Sequence, residues 1–303
     1  MKNPSLSNAL ETAYRVLGPF SARFQVDRRR YLHTLDIITS QGDWQGKNIL
    51  DIGTGIGLTP LALKQLGIAC HGLDYYVFPE NDNTMFGIDE INELETIWAK
   101  EELTIHNLDF LNCSPSDLPQ KFDMIIAEAI IEHLPDPRLF LERCATLLNK
   151  EGLLLISTPN LATLLKRLRF VIGRSPLWPL PDFFRAGKNF TGHWREYTLP
   201  ELVYMCEASG FTVILKQNIN LLARFKFWSA WRKNLRALIT KLSFFLPGSR
   251  EMNYVLCRLL PSASISPPQS TMSVPPFPLT TVSTSAATTN PREDADAEND
   301  SNK

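Results

Sequence analysis

The chain has 303 residues, 44% of them hydrophobic and 21% charged, with a formal net charge of -1. That length and apolar content can bury a full core, so one α/β domain with additions is expected and a wholly disordered chain is excluded. The near-zero total hides an asymmetry: residues 71–160 hold 17 acidic and 5 basic side chains, whereas residues 161–250 hold 4 acidic and 15 basic. One half is expected to attract cations and the other anions. The five cysteines (Cys70, Cys113, Cys144, Cys206, Cys257) form no Cys-x-x-Cys pair, which speaks against a disulfide framework or a cysteine zinc site and fits a reducing compartment. Met1 to Leu17 lacks the apolar core of a signal peptide, and no run of about 18 apolar residues is present to span a bilayer. A cytoplasmic location is expected.

Residues 1–44 read as N-terminal cap helices. The first carries Leu6, Ala9, Leu10, Ala13, Val16 and Leu17 at helical spacing and stops at Gly18-Pro19; the second carries Val26, Tyr31, Leu32, Leu35 and Ile38. The stretch that organises the chain follows, from Asn48 to Leu58. An apolar run ends in Asp51, then Gly53, Gly55 and Gly57 alternate with Ile52, Thr54 and Ile56, and an amphipathic segment closes at Gly67. This pattern predicts a buried parallel strand, a glycine turn and a helix. Its glycines let a ligand approach the main chain, and the new helix N-terminus suits a carboxylate or phosphate.

A second strand over 68–74 ends in Asp74, 23 residues after Asp51. An acid at that distance can accept hydrogen bonds from both hydroxyls of a ribose, or cap the next helix. Residues 75–102 are acidic and irregular, then helical, with Ile91, Leu94, Ile97 and Trp98 marking the helix. A third strand over 103–108 leads to Asp109-Phe110, and a fourth over 122–127 runs into Glu128 and then Glu132-His133-Leu134-Pro135-Asp136-Pro137. Asp136 and Pro137 suit the start of a helix over 138–148. A fifth strand covers 153–158. The alternation predicts a doubly wound, mostly parallel sheet.

Beyond it, 161–172 forms a basic amphipathic helix, 175–184 a Pro- and aromatic-rich loop, and Thr198 caps a helix that ends at Gly210. A strand over 211–218, an acid-free helix over 221–246 and a last strand over 252–259 complete the domain. Residues 261–303 turn to Pro, Ser, Thr and Ala, finish acidic, and are expected to be a disordered tail.

The Asp-x-Gly-x-Gly-x-Gly run resembles the first motif of class I S-adenosylmethionine-dependent methyltransferases; the dinucleotide fingerprint places its third glycine one residue later. Glu-His-Leu-Pro-Asp-Pro after the fourth strand, and His-x-Arg-x-Tyr-Thr from His193 to Thr198, resemble the branch that includes the ubiquinone-pathway O-methyltransferases. The resemblance covers about residues 45–260. It implies a seven-stranded Rossmann-like sheet with a reversed final hairpin, carrying basic helical insertions at about 161–190 and 221–248. It also implies S-adenosyl-L-methionine as cofactor, bound by Asp51, Gly53, Thr54, Gly55 and Gly57 of the loop. Asp74 would take the ribose, Asp109 and Phe110 the adenine, and Glu128 the methionine amino group.

The implied chemistry is methyl transfer to a small-molecule, lipid-linked or glycan acceptor, at oxygen. Two alternatives are a catalytically inactive cofactor-binding partner protein and, less favoured by the glycine spacing, a nicotinamide-dependent oxidoreductase. A hydroxyl acceptor needs a base or a metal. Glu132, His133 and His193 match a run with which some relatives hold a divalent ion, but Ala129 stands where that run has its first acid, and no metal is assigned. Three readings stay open: a metal site, His193 as general base, or Glu132 and His133 orienting a loop. The basic helices, with Trp228 and Trp231 opposite Lys226, Lys233 and Arg236, allow either a lid or peripheral contact with the inner face of a membrane. No nucleic-acid-binding module is recognisable.

Overall fold

The computed structural model describes residues 4–76, 87–118, 120–187, 190–221, 238–239 and 241–261. Of the expected helix 221–246, residues 222–237 and 240, with Trp228, Trp231, Lys226, Lys233 and Arg236, lie outside the described residues, and 243–246 are turn rather than helix; the tail beyond 261 also lies outside. Seven strands form one sheet in the order β3-β2-β1-β4-β5-β7-β6. They are β1 (Asn48–Ile52), β2 (Ala69–Asp74), β3 (Ile105–Asn107), β4 (Phe122–Glu128), β5 (Leu148–Pro159), β6 (Phe211–Ile219) and β7 (Met252–Leu259). The first five run parallel. β7 is antiparallel to both β5 and β6, so the final hairpin is reversed as expected.

The helices are α1 (Pro4–Leu17), α2 (Arg28–Thr39), α3 (Leu58–Lys64), α4 (Ile88–Lys100), α5 (Pro137–Leu147), α6 (Leu164–Val171), α7 (Leu180–Ala186) and α8 (Leu199–Ala208). Two cores flank the sheet. α1, α2, α3 and α4 close over one face through residues such as Leu10, Leu35, Leu61 and Leu94. α5 and α8 close over the other through Phe140, Leu141, Leu202 and Cys206. Central strands are covered on both faces, which is why β1 and β4 read as nearly continuous apolar runs rather than alternating ones.

Two local features depart from the sequence reading. A 3-10 segment (Gly18–Asp27) joins α1 to α2, so Val26 falls before α2 and is 44% exposed. The Pro- and aromatic-rich loop contains α7, which Leu180 starts with Pro181 in its first turn, where a missing N–H costs nothing.

The chain reverses direction across the sheet between β1 and β4. Connections from β1 lead outward through β2 to β3, and those from β4 lead the other way. A crevice opens outside the strand ends at such a point, and it gathers the residues that follow β1, β2, β4 and β5.

Candidate active site

A cavity of about 510 Å³ occupies that crevice, within the usual range for a small-molecule site. Its floor is the loop after β1. Gly53, Gly55 and Gly57 all have positive φ (+74°, +56° and +79°), a backbone region costly for any side chain. Their surroundings differ. A Cβ at Gly53 would stand 2.0 Å from Ile130 Cδ1, and one at Gly57 would stand 2.9 Å from Trp98 Nε1. A Cβ at Gly55 would meet no protein atom within 4 Å. Gly53 and Gly57 therefore serve packing, whereas Gly55 bares main chain to the cavity.

The loop is tied to its neighbours. Asp74 Oδ2 accepts from the Gly55 N–H at 2.7 Å and Oδ1 from the Tyr75 N–H at 2.8 Å. The Tyr76 hydroxyl donates to the Gly55 carbonyl. Burial, partly offset by these N–H donors, raises the Asp74 pKa. Asp51 lies beneath the loop, only 4% exposed. Its carboxyl is pushed up to about 8, first by burial and then by the carboxylates of Glu128 and Asp74, against the opposing Thr54 hydroxyl.

The opposite wall comes from the N-terminal segment, through Phe24, Asp27, Arg30 and Tyr31. Glu128, at the tip of β4, accepts from the Thr34 hydroxyl and from the Tyr254 hydroxyl at 3.2 Å. Burial alone would lower the Arg30 pKa; the carboxylate of Glu128 leads the groups that instead raise it. Arg30 also pairs with Asp27 at 3.6 Å, yet its Nε is buried with no hydrogen-bond partner among the described residues. An unanswered guanidinium N–H beside a cavity is suited to an incoming carboxylate. Sequence reasoning missed Arg30. The only local hint was the run Arg28-Arg29-Arg30, which does not say which arginine turns inward.

At the far end stand Glu132, His133 and His193, whose donor atoms lie within 4.8 Å of one another. Glu132 is fully buried in a short 3-10 turn (Ile131–His133). Its Oε2 accepts from the Thr158 hydroxyl at 2.9 Å, and its Oε1 has no hydrogen-bond partner among the described residues. Burial raises its pKa against the pull of Thr158, His133 and Arg30. The Glu132 carbonyl accepts from the N–H groups of Trp194 and Arg195 at 2.8 and 3.3 Å, which stitches the His193 loop to the turn. His133 Nδ1 lies 2.9 Å from the Thr191 carbonyl and His193 Nδ1 lies 2.9 Å from Glu196 Oε1. A carbonyl only accepts, so His133 carries its proton on Nδ1 and keeps a lone pair on Nε2. The imidazoles meet edge to face, 4.7 Å between centroids. His193 is pushed down to about 4, first by burial and then by its neighbours His133 and Lys166.

That arrangement has the chemistry of a divalent-metal donor set: one orphaned buried carboxylate oxygen and two imidazoles with oriented Nδ1 atoms. Ala129 holds φ +53°, a strained value for a residue with a Cβ, and lines the cavity between Glu128 and this trio.

The cavity thus gathers Gly53, Thr54, Gly55, Asp74, Glu128, Glu132, His133 and His193 of the sequence-derived candidates. Asp51, Gly57, Asp109 and Phe110 are not among its lining residues. Asp109 turns its carboxylate to the Leu111 N–H and the Asn112 amide. Phe110 is buried edge-on against Phe140 of α5, and Arg143 holds its carbonyl at 3.0 Å.

A family model for a methyltransferase domain matches residues 26–216. The chain belongs to that family. A ubiquinone biosynthesis O-methyltransferase of Aeromonas salmonicida is 28% identical over 197 residues, 65% of this chain and 74% of its own. One from Haemophilus ducreyi is 30% identical over 128 residues, 42% of this chain and 51% of its own, so the chain spans about half the length of that relative. Among solved structures, a chain from the complex between the Haloferax volcanii Trm112 methyltransferase activator and a methyltransferase superposes with a TM-score of 0.52 at 14% identity. It covers 79% of this chain and 94% of that one, and shows the shared fold. The seven-stranded sheet and reversed hairpin that the resemblance implied are those described above.

Proposed function

We propose that the protein transfers a methyl group from S-adenosyl-L-methionine to an oxygen of a small-molecule, lipid-linked or glycan acceptor. Family membership supports the cofactor, and the relatives' O-methyltransferase names support oxygen. The observation that carries the reading is one cavity with a bare glycine loop at one end and the Glu132, His133 and His193 trio at the other.

When bound, the sulfonium supplies an electrophilic methyl. The chain's own residues do the rest. Gly55 leaves room at the loop. Arg30 offers its unpartnered Nε to the methionine carboxylate, and Glu128 offers its carboxylate to the amino group. Asp74 exchanges the Gly55 N–H for ribose hydroxyls. Glu132, His133 and His193 are the residues that would hold a divalent ion, whose chemistry would be to acidify the acceptor hydroxyl. Little covalent work falls to the protein. The rate comes from holding donor and acceptor in line and keeping water out.

A peripheral membrane contact is part of the proposal. Among the described residues no helix is long and apolar enough to cross a membrane. The α6–α7 segment nevertheless leaves Phe170, Val171 and Phe184 at 70%, 80% and 81% exposure, with Arg167, Arg169, Arg174 and Arg185 in the same stretch. Apolar side chains among arginines suit an anionic lipid surface. A cytoplasmic protein that docks at a membrane's inner face would satisfy both features.

Titration calorimetry with S-adenosylhomocysteine tests the core of the reading, and a labelled-methyl assay over hydroxyl acceptors tests the chemistry. Binding at micromolar affinity is expected; no uptake at millimolar ligand overturns it. Flotation with anionic vesicles tests the membrane part: Arg169→Glu/Arg185→Glu should stay unbound where the native chain floats, and absence of the native chain from the float refutes that part alone.

A further inference from the structure

His193 reaches the site on a segment without regular structure, between Phe190 and Tyr197. No helix or strand fixes its ring, so its partners must. Glu196 is 8% exposed and does not line the cavity. One of its oxygens lies 2.9 Å from His193 Nδ1, and the other pairs with the Lys166 ammonium. Lys166 stands in the first turn of α6 and also donates to the Asn160 carbonyl at 3.2 Å. Asn160 is itself fixed: its amide donates to the carbonyls of Gly248 and Arg250 at 2.8 and 2.7 Å. A buried ion pair gains little net stability, so this one needs another account.

We propose that Glu196 is a positioning residue for His193, held in turn by Lys166 of α6, so that the ring presents Nε2 to Glu132 and His133. The proposal rests on the reading of that trio given above. A carboxylate accepts, so Nδ1 carries the proton and Nε2 keeps the lone pair. The ammonium occupies the second carboxylate oxygen and stops Glu196 from turning away. His133 receives the same orientation from the Thr191 carbonyl. Both imidazoles thus present the same nitrogen, one through main chain and one through a side chain that mutation can remove. The geometry also makes α6 part of the site without any of its atoms reaching the acceptor.

The test uses the full chain labelled with ¹⁵N-histidine, read by long-range nitrogen–proton correlation at neutral pH. The chain has five histidines, and the spectrum of His193→Asn assigns the one in question. The native protein should show His193 protonated on Nδ1. Glu196→Ala should move it to the Nε2-protonated form that free imidazole prefers, whereas Glu196→Gln, whose amide oxygen still accepts, should keep Nδ1–H. Lys166→Met should give a mixture. In the methyl-transfer assay, Glu196→Ala should lower kcat about 10- to 100-fold, the usual effect of losing such an outer partner, with the KM for cofactor unchanged. Adding Lys166→Met to Glu196→Ala should cost nothing more, because the two act as one unit. Nε2–H in the native chain, or an unchanged tautomer in both Glu196→Ala and Lys166→Met, overturns the proposal. The tautomer readout requires neither cofactor, metal nor acceptor, so it stands or falls separately from the methyl-transfer reading. Should Glu196→Ala fail to fold, the native, Gln and Lys166→Met spectra decide.

Discussion

Gly55 and Gly53 sit two residues apart with the same handedness of backbone, yet alanine at each should do different things. At Gly55, φ +56° costs an alanine roughly 1–2 kcal/mol. Nothing lies within 4 Å of its Cβ, so no packing penalty follows. For a domain of this size that amounts to a fall in Tm of about 2–8 °C. At Gly53 the same backbone cost is joined by a Cβ 2.0 Å from Ile130 Cδ1. Overpacking of that kind adds roughly 1–3 kcal/mol, for a total of about 2–5 kcal/mol. Ile130→Ala placed in the Gly53→Ala background should recover the packing part and leave the backbone part. The order reverses for ligand binding. Gly55 lines the cavity, so its new methyl takes room from the ligand, and a penalty of the same overpacking size weakens S-adenosylhomocysteine by about tenfold or more. Thermal denaturation ranks the stabilities and calorimetry ranks the affinities. A Gly55→Ala variant that folds and binds as tightly as the native chain refutes the placement of the cofactor against this loop.

Three further outcomes follow from the site. Asp51, raised to about 8, is folded most comfortably when protonated. Its contribution to stability is fully present below about pH 4 and is lost as pH rises through about 8, with an upper bound of about 6 kcal/mol at 1.36 kcal/mol per pH unit. Urea denaturation of the cofactor-free protein at pH 5 and pH 8 should therefore show the native chain losing ground to Asp51→Asn; parallel losses would refute the shift. Arg30→Lys keeps the charge that faces Glu128 but loses the fork, and should weaken S-adenosylhomocysteine about tenfold while Tm moves little. Equal affinity would remove Arg30 from the methionine site. A divalent ion at 100 times its Kd should stabilise the chelator-treated protein by about 2.7 kcal/mol. The gain should vanish in His193→Ala, and an equal gain in that variant would place the ion elsewhere.

The sheet was legible because each buried strand ends in a signal that local chemistry can read. Asp51 before the glycines, Asp74 and Glu128 all mark strand tips, and the parallel order then brings Gly53, Asp74 and Glu128 to one crevice. The capping residues were equally local: Asp136 accepts from the Leu139 N–H and Thr198 from the Glu201 N–H, each closing the helix it was expected to start. Position along the chain alone says less about what will surround a residue. Asp109 and Phe110 follow the third strand as the resemblance requires, yet neither is among the residues lining the cavity. Phe140 offers Phe110 an apolar partner inside the core.

The wall opposite the loop was illegible for a different reason. Glu128 takes its hydroxyl donors from Thr34 and Tyr254, which lie 94 and 126 residues away in the chain, and its cation from Arg30. No period of 2 or 3.6 encodes such a convergence, because only the packing of α2 across the end of the sheet creates it. The same holds for Glu196, which reads as one acid in a polar loop until Lys166 arrives from α6. In each case a charge is removed from water and answered by another drawn from a distant element. A carboxylate that is held so firmly before any ligand arrives does not have to be ordered by the ligand. That saves the binding step the entropy of fixing side chains, and it explains why polar groups stay in a cavity where apolar ones would pack at less cost. The energetic burden falls on the folded state, in Asp51 held buried with its pKa raised and Ala129 kept in a left-handed turn, and both meet at the same few strand tips.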